Sequence, residues 1–513
     1  MRFLLYIASV LVATASLSAR ELWVDRTAAN PGDGSREHPY LTIMAAATVV
    51  NPGDVVMIRP GVYPEWVALE RSGTAAAPIT FQAAGALGSV IISGADTLET
   101  WEPDGNVFFT PWDHDFVIDT KPDGTLVRSH FGDPPLGCAE IVLQDGEPLK
   151  MVMSRPALEA GTFYVDWDAN RLYVRLLGDR NPRRTRVEGG VRPYLFSPLE
   201  QWNKFSEASY ITVRGLKMGN AANFPQRGGL VTGDHWLIED CLVEGNSAGG
   251  VNIRGNDVTL RRVTASRNGF AGISGNDCAN TLLEDCQTVG NNTRGFNPGN
   301  DGGGGKFLRT RNLHIKNLSS HDNTGPGLWL DFDNRDYLVE DSTIAGNRGL
   351  TMDWEGSGIA TEINPGPGRI INNTIFSNTG AAVGIWECRD LVVEGNTLVD
   401  NGIGIGFRAM EGRETQLADV TVTRNRIKDW RRSAVTAGIG NWNANSAAEK
   451  HLRLEGNSFD LPEGRPFYEW ADLTYPSLES VMAQLHAESG SELAKFSFSP
   501  TLIDSRTVTP SGN

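Results

Sequence analysis

Asp331 and Glu362 each stand four residues after a glycine, Gly327 and Gly358, in the segments GLWLDFD and GIATE. In the first, Leu328, Leu330 and Phe332 alternate with Trp329, Asp331 and Asp333. In the second, Ile359 and Thr361 alternate with Ala360 and Glu362. This is the period of a strand with one buried face, and it sends both carboxylates outward. As neighbouring parallel strands the two segments would lie about 4.8 Å apart. Glycosidases that retain configuration hold two carboxyl groups about 5 to 5.5 Å apart, one as nucleophile and one as acid/base. On this reading Asp331 is the nucleophile, kept ionised by Arg309 or Arg311. Glu362, nearer to Trp386 and apolar neighbours, is the acid/base with a raised pKa.

The surroundings follow from register. Aligning Asn312 with Asn334 places Phe307, Arg309 and Arg311 over Trp329, Asp331 and Asp333, and later coils add Glu362, Trp386 and Glu387. Exposed Trp329 and Trp386 rings would offer flat apolar faces to a pyranose, with Arg311, Lys306, His321 and Glu387 as further binding groups and Asp333 as a third acid. Other readings compete. The charges fit a solvated cross-strand ladder, His321 fits a hydrogen-bonding turn residue, and a register slip of one residue would turn Asp331 inward. The insertion RGLTMDWEG between the two carboxylates also allows Asp353 or Glu355 to replace Glu362.

What must position these residues is a repeat. Asn246, Asn268, Asn291, Asn323, Asn347, Asn378 and Asn401 recur at intervals of 22, 23, 32, 24, 31 and 23 residues, each after an apolar strand pattern such as YLVEDSTIAGN. Several short strands per period indicate an all-β protein, a parallel β-helix whose coils bury their apolar faces only by stacking. The asparagines are expected to stack at one turn. The two long intervals hold the insertions TRGFNPGNDGGGG and RGLTMDWEG, which bracket the Trp329 strand and point to a cleft there.

The rest of the chain fits this frame. Residues 20–100 are expected to form an amino-terminal cap, with a short helix around Leu41 to Val50, and the first coils. The hairpin-like patterns of 101–198 indicate an inserted antiparallel β module, either a wall over the site or a stabilising side domain. Residues 199–465 are the main solenoid, and 466–513 a helical cap that starts at Ser477, then a tail. Arg2, the apolar run Phe3 to Leu17 and the small residues to Ala19 read as a signal peptide, 1–19, hence a secreted protein. Cys241 and Cys286, in matching DC positions, are expected to pack inside, not to bridge.

A net charge of −16 argues against nucleic acid and anionic membrane surfaces as partners, and makes a polyanionic glycan awkward unless cations bridge the two. No stretch after the signal is long and apolar enough for a spanning helix. The chain is expected to act as a monomer on a polysaccharide or oligosaccharide.

The string HDNTGPGLWLDFDN, followed one coil later by GIATEINPG, resembles the HDN, GIWLD and GIFLE motifs of secreted right-handed parallel β-helix proteins. It is similar in this to β-helical glycoside hydrolases of the β-xylosidase type. The resemblance implies a β-sandwich inserted near the amino end, Asp331 as nucleophile and Glu362 as acid/base, with no cofactor. Ala360, Thr361 and the insertion depart from the pattern. Pectate and alginate lyases share the fold. A lyase reading takes Lys306, Arg309 or Arg311 as the base and calcium on Asp331, Asp333 and Glu362. A third reading is a non-catalytic glycan-binding solenoid.

Overall fold

The computed structural model describes residues 19–201 and 204–499. Apart from Ala19, the expected signal peptide lies outside the described residues. Three sheets of 13 strands each run through the chain. The order of visits is constant: Arg335–Glu340 lies in the first sheet, Thr343–Ala345 in the second and Ile359–Glu362 in the third. Gly368–Ile371 is then back in the first, one strand further on. Each coil is one such circuit, and the alternation along each strand turns Val339, Ile344 and Leu330 into a shared core with no exposure.

The third sheet carries the candidate residues. Its relevant strands are β1 (Gly249–Ile253), β2 (Ala271–Asn276), β3 (Lys306–Leu308), β4 (Leu328–Asp331), β5 (Ile359–Glu362), β6 (Ala381–Trp386) and β7 (Ile403–Ala409). All pair in parallel with their neighbours.

Corners between strands explain much of the polar sequence. Gly245, Arg267, Gly290, Asp322, Gly346, Ser377 and Asp400, each just before a repeating asparagine, have positive φ. The asparagine then points inward, where its Nδ2 donates to Oδ1 of the next at 2.9–3.0 Å, from Asn246 through to Asn401. The expected stack is therefore present. A second one links Asn373, Asn396, Asn425 and Asn457 at another corner.

The antiparallel strands of the inserted module begin at Ala95–Thr97 and end at Val187–Gly190. They enclose their own apolar cluster of Trp101, Trp112, Phe163, Leu172 and Val187. Phe196–Pro198 is already a rung of the solenoid, paired in parallel with Val67–Leu69. Half-buried Arg294 fastens this module to the coils: it donates to the carbonyls of Pro135 and Cys138 and to Ser247 Oγ at 2.6–2.7 Å. Helices Ile43–Ala47 and Leu478–Leu485 lie towards the two ends, the second capped by Ser477. All five cysteines are free and buried. Among the described residues no helix is long and apolar enough to cross a membrane.

The stacks hold the coils in register, because each rung satisfies donors that water cannot reach. Asn347→Ala removes the acceptor of Asn323 N and Nδ2, takes the Nδ2 donor from Ser320 O, and leaves Asn378 Oδ1 with the backbone N–H of residue 347 alone. We expect a loss of about 2 to 4 kcal/mol in urea unfolding; a loss below about 0.5 kcal/mol would show that the stack is dispensable.

Candidate active site

On β4 and β5 the register is Leu328 to Ile359, Trp329 to Ala360, Leu330 to Thr361 and Asp331 to Glu362. The carboxylate residues are thus directly opposite on adjacent strands, about 4.8 Å apart at the backbone. Leu330 and Thr361 are fully buried, so Asp331 and Glu362 face outward. Glu362 also pairs with Trp386 on β6, and Trp386 with Arg408 on β7.

The alternation stops at Asp331. Phe332 and Asp333 both have positive φ and form the corner, so Phe332 does not point inward and Asp333 does not share the face of Asp331. Asp333 instead binds Arg311 at 2.6 Å and Arg335 at 2.9 Å. Burial acts to raise its pKa, but these two guanidinium groups outweigh it and the net shift is downward.

The expected alignment of the preceding coil is off by one. Lys306, not Phe307, lies beside Trp329, and Leu308 lies beside Asp331. Arg309 is turned away at the corner and binds Asp277 at 2.5 and 2.8 Å and Asn276 at 2.7 Å. Neither Arg309 nor Arg311 is the cation of Asp331. That cation is Lys306, whose Nζ is 2.7 Å from Asp331 Oδ2, also binds Asp301, and sits 3.9 Å above the centre of the Trp329 ring. Burial alone would lower the ammonium pKa. The flanking Asp301 and Asp331 outweigh it, so the group stays charged.

Glu362 meets different conditions. Burial is the largest influence on its carboxyl and pushes the pKa up, with the charge of Asp331 adding to it; Arg408, at 2.5 Å, opposes both and does not cancel them. Arg408 is itself held by Glu387, with Nη2 at 2.6 Å and Nε at 3.1 Å from the carboxylate. Glu387 is wholly buried and has positive φ. It positions Arg408 and is not a surface for substrate.

The tryptophans are covered, not exposed. Trp329 and Trp386 retain 4% and 6% of their accessibility. The inserted turn Asp353–Gly356 brings Trp354 edge-on to both rings, at 6.4 and 5.4 Å between centroids. Small residues make room: Ala360 lies between them, and a Cβ at Gly384 would come within 2.9 Å of the Trp386 ring.

Glu355 does not replace Glu362. It is buried and accepts hydrogen bonds from the backbone of Leu350, Thr351 and Met352 and from Thr351 Oγ1, closing the inserted turn. The side chain of Asp353 lies outside the described residues. His321 stands on the second sheet, paired with Val289 and Ala345 and bonded through Nδ1 to Asp322 at 2.9 Å, and is not brought to the site. Among the described residues no group of three or more His, Cys, Asp or Glu converges as a metal ligand set.

Sequence reasoning missed three residues. Arg408 was within reach, since the alternation of Ile405, Gly406, Phe407 and Arg408 puts it level with Trp386. Asp301 and Trp354 come from inserted loops, where no period exists to follow. A cleft of about 270 Å³ opens beside Lys306 and Asp301 and runs over β1 and β2 towards Arg227, with His130 of the inserted module on its wall.

The family model described as "Right handed beta helix region" matches residues 229–387 and 352–459. No curated protein matches the sequence. A solved structure described as "The complex structure of XylC with xylose" superposes with a TM-score of 0.67 at 18% identity, over 88% of this chain and 85% of that one. One described as "Glycoside hydrolase" gives a TM-score of 0.44 at 12% identity, over 93% and 96% of the two chains. The pectate lyase Pel9A gives 0.42 at 15% identity, over 84% and 80%. With three parallel sheets wound as successive coils and a matching family model over its central coils, the chain is a right-handed parallel β-helix protein.

Proposed function

We propose that this chain is a secreted, monomeric carbohydrate-active enzyme that hydrolyses a glycosidic bond with retention of configuration. The observation that carries the reading is the direct pairing of Asp331 with Glu362 under opposite electrostatic conditions. Lys306 binds Asp331 at 2.7 Å and holds its carboxyl beside Glu362. Burial of Glu362 favours the protonated form that an acid must have. Asp331 attacks the anomeric carbon while Glu362 protonates the departing oxygen; Glu362, now a carboxylate, then takes a proton from the water that releases the sugar from Asp331.

The same contacts count against the lyase alternative. Proton abstraction needs a neutral base, whereas Lys306 is held charged between two carboxylates and Arg309 and Arg311 are committed to Asp277 and Asp333. Calcium on Asp331, Asp333 and Glu362 would need the three to converge, and Asp333 turns to the corner. The xylose of the superposed XylC structure makes xylosides the first substrates to try.

On a panel of neutral and uronate glycans starting with xylosides, we expect new reducing ends without the unsaturated product that absorbs in the ultraviolet. Asp331→Asn should lower kcat by about two to four orders of magnitude. Calcium-dependent ultraviolet absorbance would favour the lyase, and silence on the whole panel the binding solenoid.

The pH profile gives a separate check. Glu362 must be protonated in the free enzyme, and its pKa lies above the ordinary carboxylate value, so kcat/KM should fall as pH rises through that raised pKa. Glu362→Gln, assayed on an aryl glycoside whose leaving group needs no proton, should retain cleavage and lose this basic limb. An unchanged limb in the variant would remove Glu362 from the acid role.

A further inference from the structure

The cleft beside the carboxylate pair carries a charge pattern that the proposed hydrolysis does not use. Its wall presents Arg227, Arg254 and Lys306 against one carboxylate, Asp301. Two of these cations are committed: Arg227 binds Glu200 at 2.6 Å and the Tyr194 hydroxyl, and Lys306 binds Asp301 and Asp331. The guanidinium of Arg254 has neither ion pair nor hydrogen bond among the described residues. It is exposed and lies over the Phe205 ring, 5.2 Å from its centre. Asp277 feels its charge but is occupied by Arg309 at 2.5 and 2.8 Å.

A guanidinium stacked on an aromatic face keeps the N–H edge of its planar fork free, and that edge matches a carboxylate in two parallel hydrogen bonds. Asn252, Ser274 and His130, on the same wall, offer partners for hydroxyl groups. We infer that this cleft takes a carboxylated sugar, a uronate unit of the glycan, and that Arg254 selects it. Arg254 follows Ile253, which pairs with Gly275 on β2; the adjacent Asn276 pairs with Leu308 on β3, and Leu308 with Asp331 on β4. The three strand steps place Arg254 about 14 Å from the catalytic pair, so the acid belongs to a sugar some units away from the bond cleaved. The overall charge of −16 does not prevent this, because exposed charges further off than about 8 Å are largely screened in physiological salt. The inference rests on the carboxylate pair being a glycan site, although not on its turning over.

The test is calorimetric binding to the Asp331→Asn protein, in which turnover does not interfere. The probes are trigalacturonate and a xylotriose bearing glucuronic acid, each beside its carboxyl-reduced form. We expect at least one acid to bind about tenfold or more tighter than its reduced form. Adding Arg254→Gln should abolish that difference and leave the reduced forms unchanged, and Arg254→Lys should restore part of it. Equal binding of acid and reduced forms, an equal loss for both in Arg254→Gln, or no binding of either acid would overturn the inference. Cleavage of neutral glycans with no acid preference would overturn this inference alone; acid preference without any cleavage would overturn hydrolysis and leave Arg254 its role.

Discussion

Everything at this site depends on the register of one parallel strand pair. Neighbouring strands in a β-helix are a fixed step apart, so two carboxylates at equivalent places on successive coils must face each other. A slip of one residue would send both into the core. The asparagine stack opposes such a slip because each side chain bonds to the equivalent residue of the next coil and to a carbonyl of an earlier one. A shifted coil would leave several buried donors and acceptors unmet at once. Rigidity of this kind suits two groups that must be held at a set separation.

The insertions act on a frame that does not otherwise vary. One brings Asp301 to Lys306, which is then shared between Asp301 and Asp331. The other brings Trp354 over the two tryptophans beside the carboxylates. Low local dielectric strengthens the ion pairs and raises the cost of ionising Glu362. The two acids differ because their neighbours differ: a cation shared with Asp301 stands beside Asp331, while Glu362 shares Arg408 with buried Glu387 and is itself more deeply buried in the wall.

The coils were legible in the sequence because burial imposes a period of two along each strand, and the corner asparagines mark each turn. The pairing of Asp331 with Glu362 followed from counting after glycine. Counting failed where the chain leaves the strand. Phe332 and Asp333 continue the apolar and polar alternation in letters only, since both adopt the left-handed conformation of the corner. The same corner hides at Arg309, which displaced the neighbouring coil by one residue and concealed Lys306 as the partner of Asp331. Exposure of the tryptophans was misjudged for another reason: an outward residue can still be covered by a loop, and loop placement depends on tertiary contacts that no local period records.

In the proposed hydrolysis Asp331 forms a bond to the sugar while Glu362 handles the proton. The most direct measurement uses the glycoside cleaved fastest, remade with fluorine at C2 and an activated leaving group, which slows hydrolysis of a covalent intermediate more than its formation. Mass spectrometry of peptides from the labelled protein should locate one added sugar on Asp331, and Asp331→Asn should take up none. A label on another carboxylate, or release of product with inverted configuration and no label, would contradict the account.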